Sequence, residues 1–177
     1  MRPLLFQNLG GRLLDAGIGT GRNCAYYPPD VDVSGIDTSP AMLARARRRC
    51  PTVAQAGRLY QMDVTALTFP SGSFDAAVAS FLFCVLPDDQ QMPALRELGR
   101  VVKPGGLIRL MEYVRPKDKL RRFVSRIWQP WIAWAYGASF DRQTEKHAAA
   151  AGLEMVESRY VVDDLLKLVT LRVAVAN

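Results

Sequence analysis

Leu13-Leu14-Asp15-Ala16-Gly17-Ile18-Gly19-Thr20-Gly21 is the stretch on which the fold turns. An apolar run passes straight into three alternating glycines, as expected of a buried strand ending in a tight turn that opens a helix. Such a turn lets a bound nucleotide approach the backbone closely. Outward from this strand, Arg12–Ala16, the pattern repeats. Asp32–Asp37 reads as a second strand, and a helix follows through Arg49, with Ser39 as its N-cap and Pro40 at its first position. Gly57–Met62 is a third strand. Phe74–Phe81 is a fourth, apolar enough to be buried on both faces. Asp88 to Val102 is helical, with Leu95, Leu98 and Val102 on one side. Lys103-Pro104-Gly105-Gly106 is read as a turn that stops this helix and launches a fifth strand, Leu107–Tyr113. A basic, tryptophan-rich helical stretch from about Lys117 to Tyr136 and a helix near Arg142–Ala151 come next. Strands at Leu153–Val161 and Lys167–Ala176 complete the series. Strands alternating with helices predict an α/β fold, a mostly parallel sheet with helices on both faces. Residues 1–177 read as one domain, with a basic insertion at about 115–140.

Asp37 ends the second strand, 22 residues after Asp15, where a carboxylate accepts hydrogen bonds from both hydroxyls of a ribose. Dinucleotide enzymes and methyltransferases share that arrangement. Three details favour S-adenosylmethionine (SAM). The glycines are spaced G-x-G-x-G, and the third glycine of a dinucleotide fingerprint would fall on Arg22. Asp15 precedes the loop, beside the place for the amino group of a methionine moiety. Asp63, in Met62-Asp63-Val64, follows the third strand, within reach of an adenine amino group.

Composition narrows the class. Hydrophobic residues make up 49% of the chain and charged residues 23%, as in ordinary globular proteins, and no apolar run is long enough for a spanning helix. The first residues, Met1 to Leu9, do not read as a secretory signal, so a cytoplasmic protein is expected. Three scattered cysteines, Cys24, Cys50 and Cys84, argue against a disulfide framework and a zinc site, and the single histidine, His147, against a His-based metal site or triad.

The run from Leu13 to Met42 resembles class I methyltransferases of the menaquinone/ubiquinone-biosynthesis type. Ser73-Phe74-Asp75-Ala76-Ala77-Val78 and Leu98-Gly99-Arg100-Val101-Val102-Lys103-Pro104-Gly105-Gly106 are similar to its later motifs. The resemblance implies a Rossmann-like, seven-stranded sheet whose last strand is antiparallel. It also implies SAM contacts at Asp15, Ala16, Gly17, Gly19, Asp37, Thr38, Met42, Asp63, Val64 and Ser80, and no metal. Such enzymes usually carry a longer N-terminal helix over the cofactor, whereas about eleven residues precede the first strand here, so either the chain is expected to be truncated or its lid to come from elsewhere.

Arg115 to Arg126 carries six basic residues against one acid, Asp118, and Leu120, Phe123, Val124, Ile127, Trp128 and Trp131 recur at helical spacing. This amphipathic stretch reads as a membrane-surface element, a lid over an apolar substrate, or a helix packed on the domain. Glu112-Tyr113-Val114, Trp128-Gln129-Pro130-Trp131 and Asp141-Arg142-Gln143-Thr144 resemble the thiol methyltransferase-like family and, more loosely, bacterial phospholipid N-methyltransferases. That resemblance implies a lipidic or small apolar acceptor, attacked through sulfur, nitrogen or carbon. A base is needed only for a protonated acceptor. Glu112 and Tyr113, at the carboxyl end of the fifth strand, are the best-placed groups, with Asp141 and His147 next. The alternative for Glu112 is a structural carboxylate and for Tyr113 a pocket wall. Cys84 reads as a small buried hydrophobe. A nicotinamide-dependent oxidoreductase and a non-catalytic SAM- or lipid-binding module are the competing classes. Nucleic acid is not expected as a partner, because no Asn-Pro-Pro-Tyr-like motif is present.

Overall fold

The computed structural model describes residues 1–114, 144–163 and 165–175. The basic insertion, with Arg115 to Tyr136 and Asp141, lies outside the described residues. Among the described residues seven strands form one sheet: β1 (Gly11–Ala16), β2 (Val31–Asp37), β3 (Leu59–Gln61), β4 (Phe74–Ser80), β5 (Val102–Tyr113), β6 (Leu153–Val162) and β7 (Leu166–Val173), in the order β3-β2-β1-β4-β5-β7-β6. The first five pair in parallel, and β7 runs antiparallel to both β5 and β6.

The strand alternation sorts side chains into two cores, one per face. Leu13, Ala76, Val78 and Met111 pack with Leu43 and Ala46 of α1 (Pro40–Arg49) and Val53 of α2 (Pro51–Gln55). Leu14, Ala77, Ala79 and Leu110 pack on the other face with Ala94, Leu95 and Leu98 of α3 (Asp88–Val101) and Ala148 of α4 (Thr144–Ala150). Helix α1 starts where expected: the Ser39 side chain accepts from the Met42 amide at 3.3 Å and Pro40 occupies the first turn. Leu43 and Ala46, three residues apart, form its buried stripe. The N-terminal turn Arg2–Phe6 buries Leu5 and Phe6 on the α1 side of the sheet, where Arg109 donates to the carbonyls of Leu5 at 3.2 Å and Gln7 at 2.6 Å.

Four sequence expectations need correction. The glycine turn does not open an α-helix; a single 3-10 turn, Cys24–Tyr26, follows, and Pro28-Pro29 stop it by removing amide donors and restricting the preceding residue. The third strand shrinks to Leu59–Gln61, since Gly57 at φ +69 belongs to the turn after α2. Residues 103–106 are not a turn between helix and strand but a bulge inside β5: Val102 pairs with Phe74 and Leu107 with Ala76. Cys24 and Cys50 form a disulfide, their Cα atoms 5.7 Å apart, because the end of α1 lies under Gly21. Sequence separation hid that proximity.

The bulge is sterically tight. A Cβ on Gly106 would lie 2.6 Å from the Asp75 carbonyl oxygen and 2.9 Å from that of Lys103, whereas one on Gly57 would meet nothing within 4 Å. Gly106→Ala is therefore expected to cost about 2–3 kcal/mol, against roughly 1 kcal/mol of left-handed strain for Gly57→Ala, as read by urea unfolding. Equal midpoints for the two variants would contradict this account.

Candidate functional site

Parallel strands deliver their carboxyl ends to one edge, and the sheet order sets the acids side by side. Asp63 follows β3, Asp37 ends β2, Asp15 and Gly17 stand at the end of β1, Ser80 ends β4, and Glu112 lies near the end of β5. Over the first three strand ends lies a cavity of about 370 Å³, lined by Gly17, Ile36, Asp37, Thr38, Met62, Asp63 and Val64. Leu82, Val85 and Leu86, from the segment after β4, and Gln90 of α3 close its other side. That volume falls within the range of small-molecule sites, roughly 300–1,000 Å³.

Asp37 is held in place from the backbone. One carboxylate oxygen accepts from the Gly19 amide at 2.9 Å and the other from the Ser39 amide at 2.9 Å. Each oxygen keeps acceptor capacity for a further hydroxyl. Asp63 accepts from the Thr65 amide and hydroxyl through one oxygen, both at 2.8 Å, and no hydrogen bond is made by the other among the described residues. Gly17, at φ +69, allows the close approach of Leu82, whose Cδ1 would lie 3.0 Å from a Cβ there. A pair of carboxylates at one end and an apolar wall opposite suit a nucleoside with hydroxyl and amino donors.

Asp15 lies beneath the loop, fully buried. Its oxygens accept from Asn23 Nδ2 at 3.0 and 3.1 Å and from the Tyr27 hydroxyl at 2.5 Å. Burial pushes its pKa up to about 6 against those bonds and the nearby Arg2 charge, and it drives the Tyr27 hydroxyl well above its ordinary range. Asn23 and Tyr27 carry no sequence signal; they are recognisable only once the chain after Gly21 folds back over β1. Arg2 is a second surprise. Its guanidinium reaches Asn23 Oδ1 and Ser80 Oγ and lies over the Phe81 ring at 5.3 Å. Phe81 sits at φ +60, its other contacts including Tyr113, stacked at 4.8 Å. A bulky residue in that region is strained by about 1–3 kcal/mol, which here turns the chain sharply from Ser80 toward the cavity wall.

Glu112 does not face the cavity. Its buried carboxylate accepts from the amides of Phe83 at 3.1 Å and Cys84 at 2.8 Å, tying the segment after β4 to β5. Burial raises its pKa to about 7. Tyr113 is about half exposed, and the buried Cys84 thiol is pushed far up by burial and by Glu112. Ala16 is buried behind Gly17, Gly19 serves Asp37, and Met42, partly exposed on α1, is not among the cavity-lining residues. His147 is paired with Asp88 at 3.7 Å, on the face of α3 and α4.

Known proteins share this chain's pattern. The family described as "Methyltransferase domain" matches residues 13–106. A phosphatidylethanolamine N-methyltransferase from Cereibacter sphaeroides is 34% identical over 153 residues, 84% of this chain and 72% of that protein. A demethylmenaquinone methyltransferase from Thermus thermophilus is 36% identical over 120 residues, and the aligned part covers 54% of its length. Among solved structures, a SAM-dependent methyltransferase from Methanosarcina mazei superposes with a TM-score of 0.71 at 21% identity, over 93% of each chain.

The buried acids make stability depend on pH in a defined direction. Both carboxyls have folded pKa values above their unfolded ones, 3.8 to about 6 for Asp15 and 4.5 to about 7 for Glu112. Each contribution is full below the unfolded value and is lost as pH rises through the folded one. The ligand-free protein is expected to lose stability on the order of 3 kcal/mol per group between pH 4 and pH 8, and Glu112→Gln to flatten that slope. Unfolding midpoints across the range, with an unchanged slope in the variant, would count against a buried, neutral Glu112.

Proposed function

The chain belongs to the class I SAM-dependent methyltransferases, and from that premise we propose that it methylates a small apolar or lipid-linked acceptor. The observation that carries the cofactor end of this reading is the cavity framed by Asp37 and Asp63 beside Gly17. Asp37 would hold the two ribose hydroxyls, its carboxylate already oriented by Gly19 and Ser39. Asp63, with the Val64 backbone, would take the adenine, and Thr38 the cavity rim. The methionine end would extend toward Ser80 and the Asp15–Asn23–Arg2 network, where Arg2 is suited to a carboxylate.

SAM, when bound, supplies an electrophilic methyl group for in-line displacement. This chain's task is then to align and to exclude water. Leu82, Val85 and Leu86 form the apolar wall. Phe81 and Tyr113, stacked beyond Ser80, would shape the acceptor side. Glu112 acts as a positioning residue by holding the Phe83 and Cys84 amides, which leaves acceptor deprotonation to Tyr113 or to an acceptor that arrives unprotonated.

The acceptor class rests on relatives named as a phosphatidylethanolamine N-methyltransferase and a demethylmenaquinone methyltransferase. Among the described residues no helix is long and apolar enough to cross a membrane. The sequence-predicted basic stretch of 115–136 is the element that would bring the domain to a lipid surface.

Calorimetry with SAM, S-adenosylhomocysteine and NADH tests the cofactor. SAM and its product are expected to bind saturably and NADH not at all, with Asp37→Ala weakening SAM by roughly 30-fold or more through loss of charge-assisted hydrogen bonds. Preferential NADH binding would overturn the reading. With the cofactor secured, methyl transfer to demethylmenaquinol or phosphatidylethanolamine, and none to a nucleic acid, identifies the acceptor; turnover with neither would favour a binding module.

A further inference from the structure

A second cavity, about 410 Å³, opens on the α1 side of the glycine loop and shares no lining residue with the first. Its walls are Thr20, Arg22, Arg45, Arg48 and Arg49. Arg45, Arg48 and Arg49 stand at i, i+3 and i+4, so they project from one face of α1, and Arg22 comes from the loop opposite. Arg49 donates to the carbonyl and hydroxyl of Thr20, at 3.1 and 3.0 Å, both neutral acceptors. None of the four arginines has a carboxylate partner among the described residues.

Four like charges around one concavity repel one another, and folding alone gives no reason to gather them. The last-turn helix dipole accounts for Arg48 and Arg49 but not for Arg45, one turn earlier, or for Arg22 on the far wall. Elsewhere Arg58 pairs with Asp32 and Arg159 with Glu157, and the exposed Arg96, which has no acid among the described residues, stands apart from any cluster of arginines. Planar guanidinium groups with free donors, plus a hydroxyl, are the donor set that recognises the oxygens of phosphate. Among the described residues no aromatic side chain lines the cleft, and none there offers the stacking surface that single-stranded nucleic acid uses.

We infer that this cleft is a phosphate-binding site, distinct from the cofactor cavity and backing onto Thr20 of the glycine loop. The inference is independent of the acceptor reading. Its phosphate comes from either a phospholipid headgroup or a soluble phosphorylated solute, and two measurements separate these sources.

The test uses the full chain and the double variant Arg45→Gln/Arg48→Gln, which leaves the Arg49–Thr20 contact in place. Both side chains are exposed, and unaltered S-adenosylhomocysteine binding and melting temperature certify the fold. Co-sedimentation is measured with phosphatidylcholine vesicles, with and without an equal share of phosphatidylglycerol, and calorimetry with inorganic pyrophosphate. The double variant is expected to lose roughly tenfold or more in affinity in at least one arm. A loss for the anionic vesicles assigns the site to lipid headgroups, and a loss for pyrophosphate alone to a soluble phosphate. Arg96→Gln/Lys146→Gln, exposed on the opposite face of the sheet, removes the same charge and is expected to keep most of the affinity. Equal loss in both variants, or no loss in either arm, would overturn the site, as would tighter variant-sensitive binding of an oligouridylate than of vesicles or pyrophosphate.

Discussion

A carboxylate removed from water must find its hydrogen bonds inside the protein, and Asp15 makes that constraint the organising one at this site. Its oxygens take up the Asn23 amide and the Tyr27 hydroxyl, which fold the chain after the glycine turn back over β1. Asn23 in turn meets Ser80 at the end of β4 and Arg2 of the N-terminal turn. Four separate segments are thus pinned by one buried group, and a donor missing from the set would leave part of a charge unsatisfied in a medium that screens it poorly. The raised pKa of Asp15 reflects how incompletely those bonds offset its burial.

From this anchor the rest of the edge follows by topology. Parallel pairing of β3, β2, β1, β4 and β5 turns all five carboxyl ends the same way. Acids that are far apart along the chain become neighbours, and the cavity forms where the segment after β4 leans over β1 and β2. Two devices hold that segment: the left-handed Phe81, which turns the chain, and Glu112, which ties down the Phe83 and Cys84 amides. The division of labour among carboxylates is physical. Asp37 and Asp63 stay near solvent at the cavity, whereas Asp15 and Glu112 are buried and bind the protein to itself.

Much of this was legible in the residues. The glycine run after the first strand, the strands of the parallel sheet and the start of α1 at Ser39-Pro40 are local patterns, although no α-helix follows the glycine turn and the third strand is shorter than its pattern suggests. Asp37, Asp63 and Gly17 were also legible, because each sits at a fixed offset from a strand end. What failed was local reading of segments whose conformation is set by distant partners. Lys103-Pro104-Gly105-Gly106 looks like a turn, yet it is pressed into a bulge by pairing on both sides of it with β4. Arg2, Asn23 and Tyr27 look unremarkable, since their role exists only when β1 and β4 lie side by side.

The sequence by itself determined the class of fold and the strand-end acids that frame the cavity, because period and offset are properties of a single stretch of chain. Only the tertiary structure decided which groups share a site. It joined Cys24 to Cys50 across 26 residues, set Arg22 opposite the arginines of α1, and took Glu112 out of the cavity to hold a loop. Those pairings depend on crossover connections and on which face each helix covers, and neither is encoded within reach of the residues concerned.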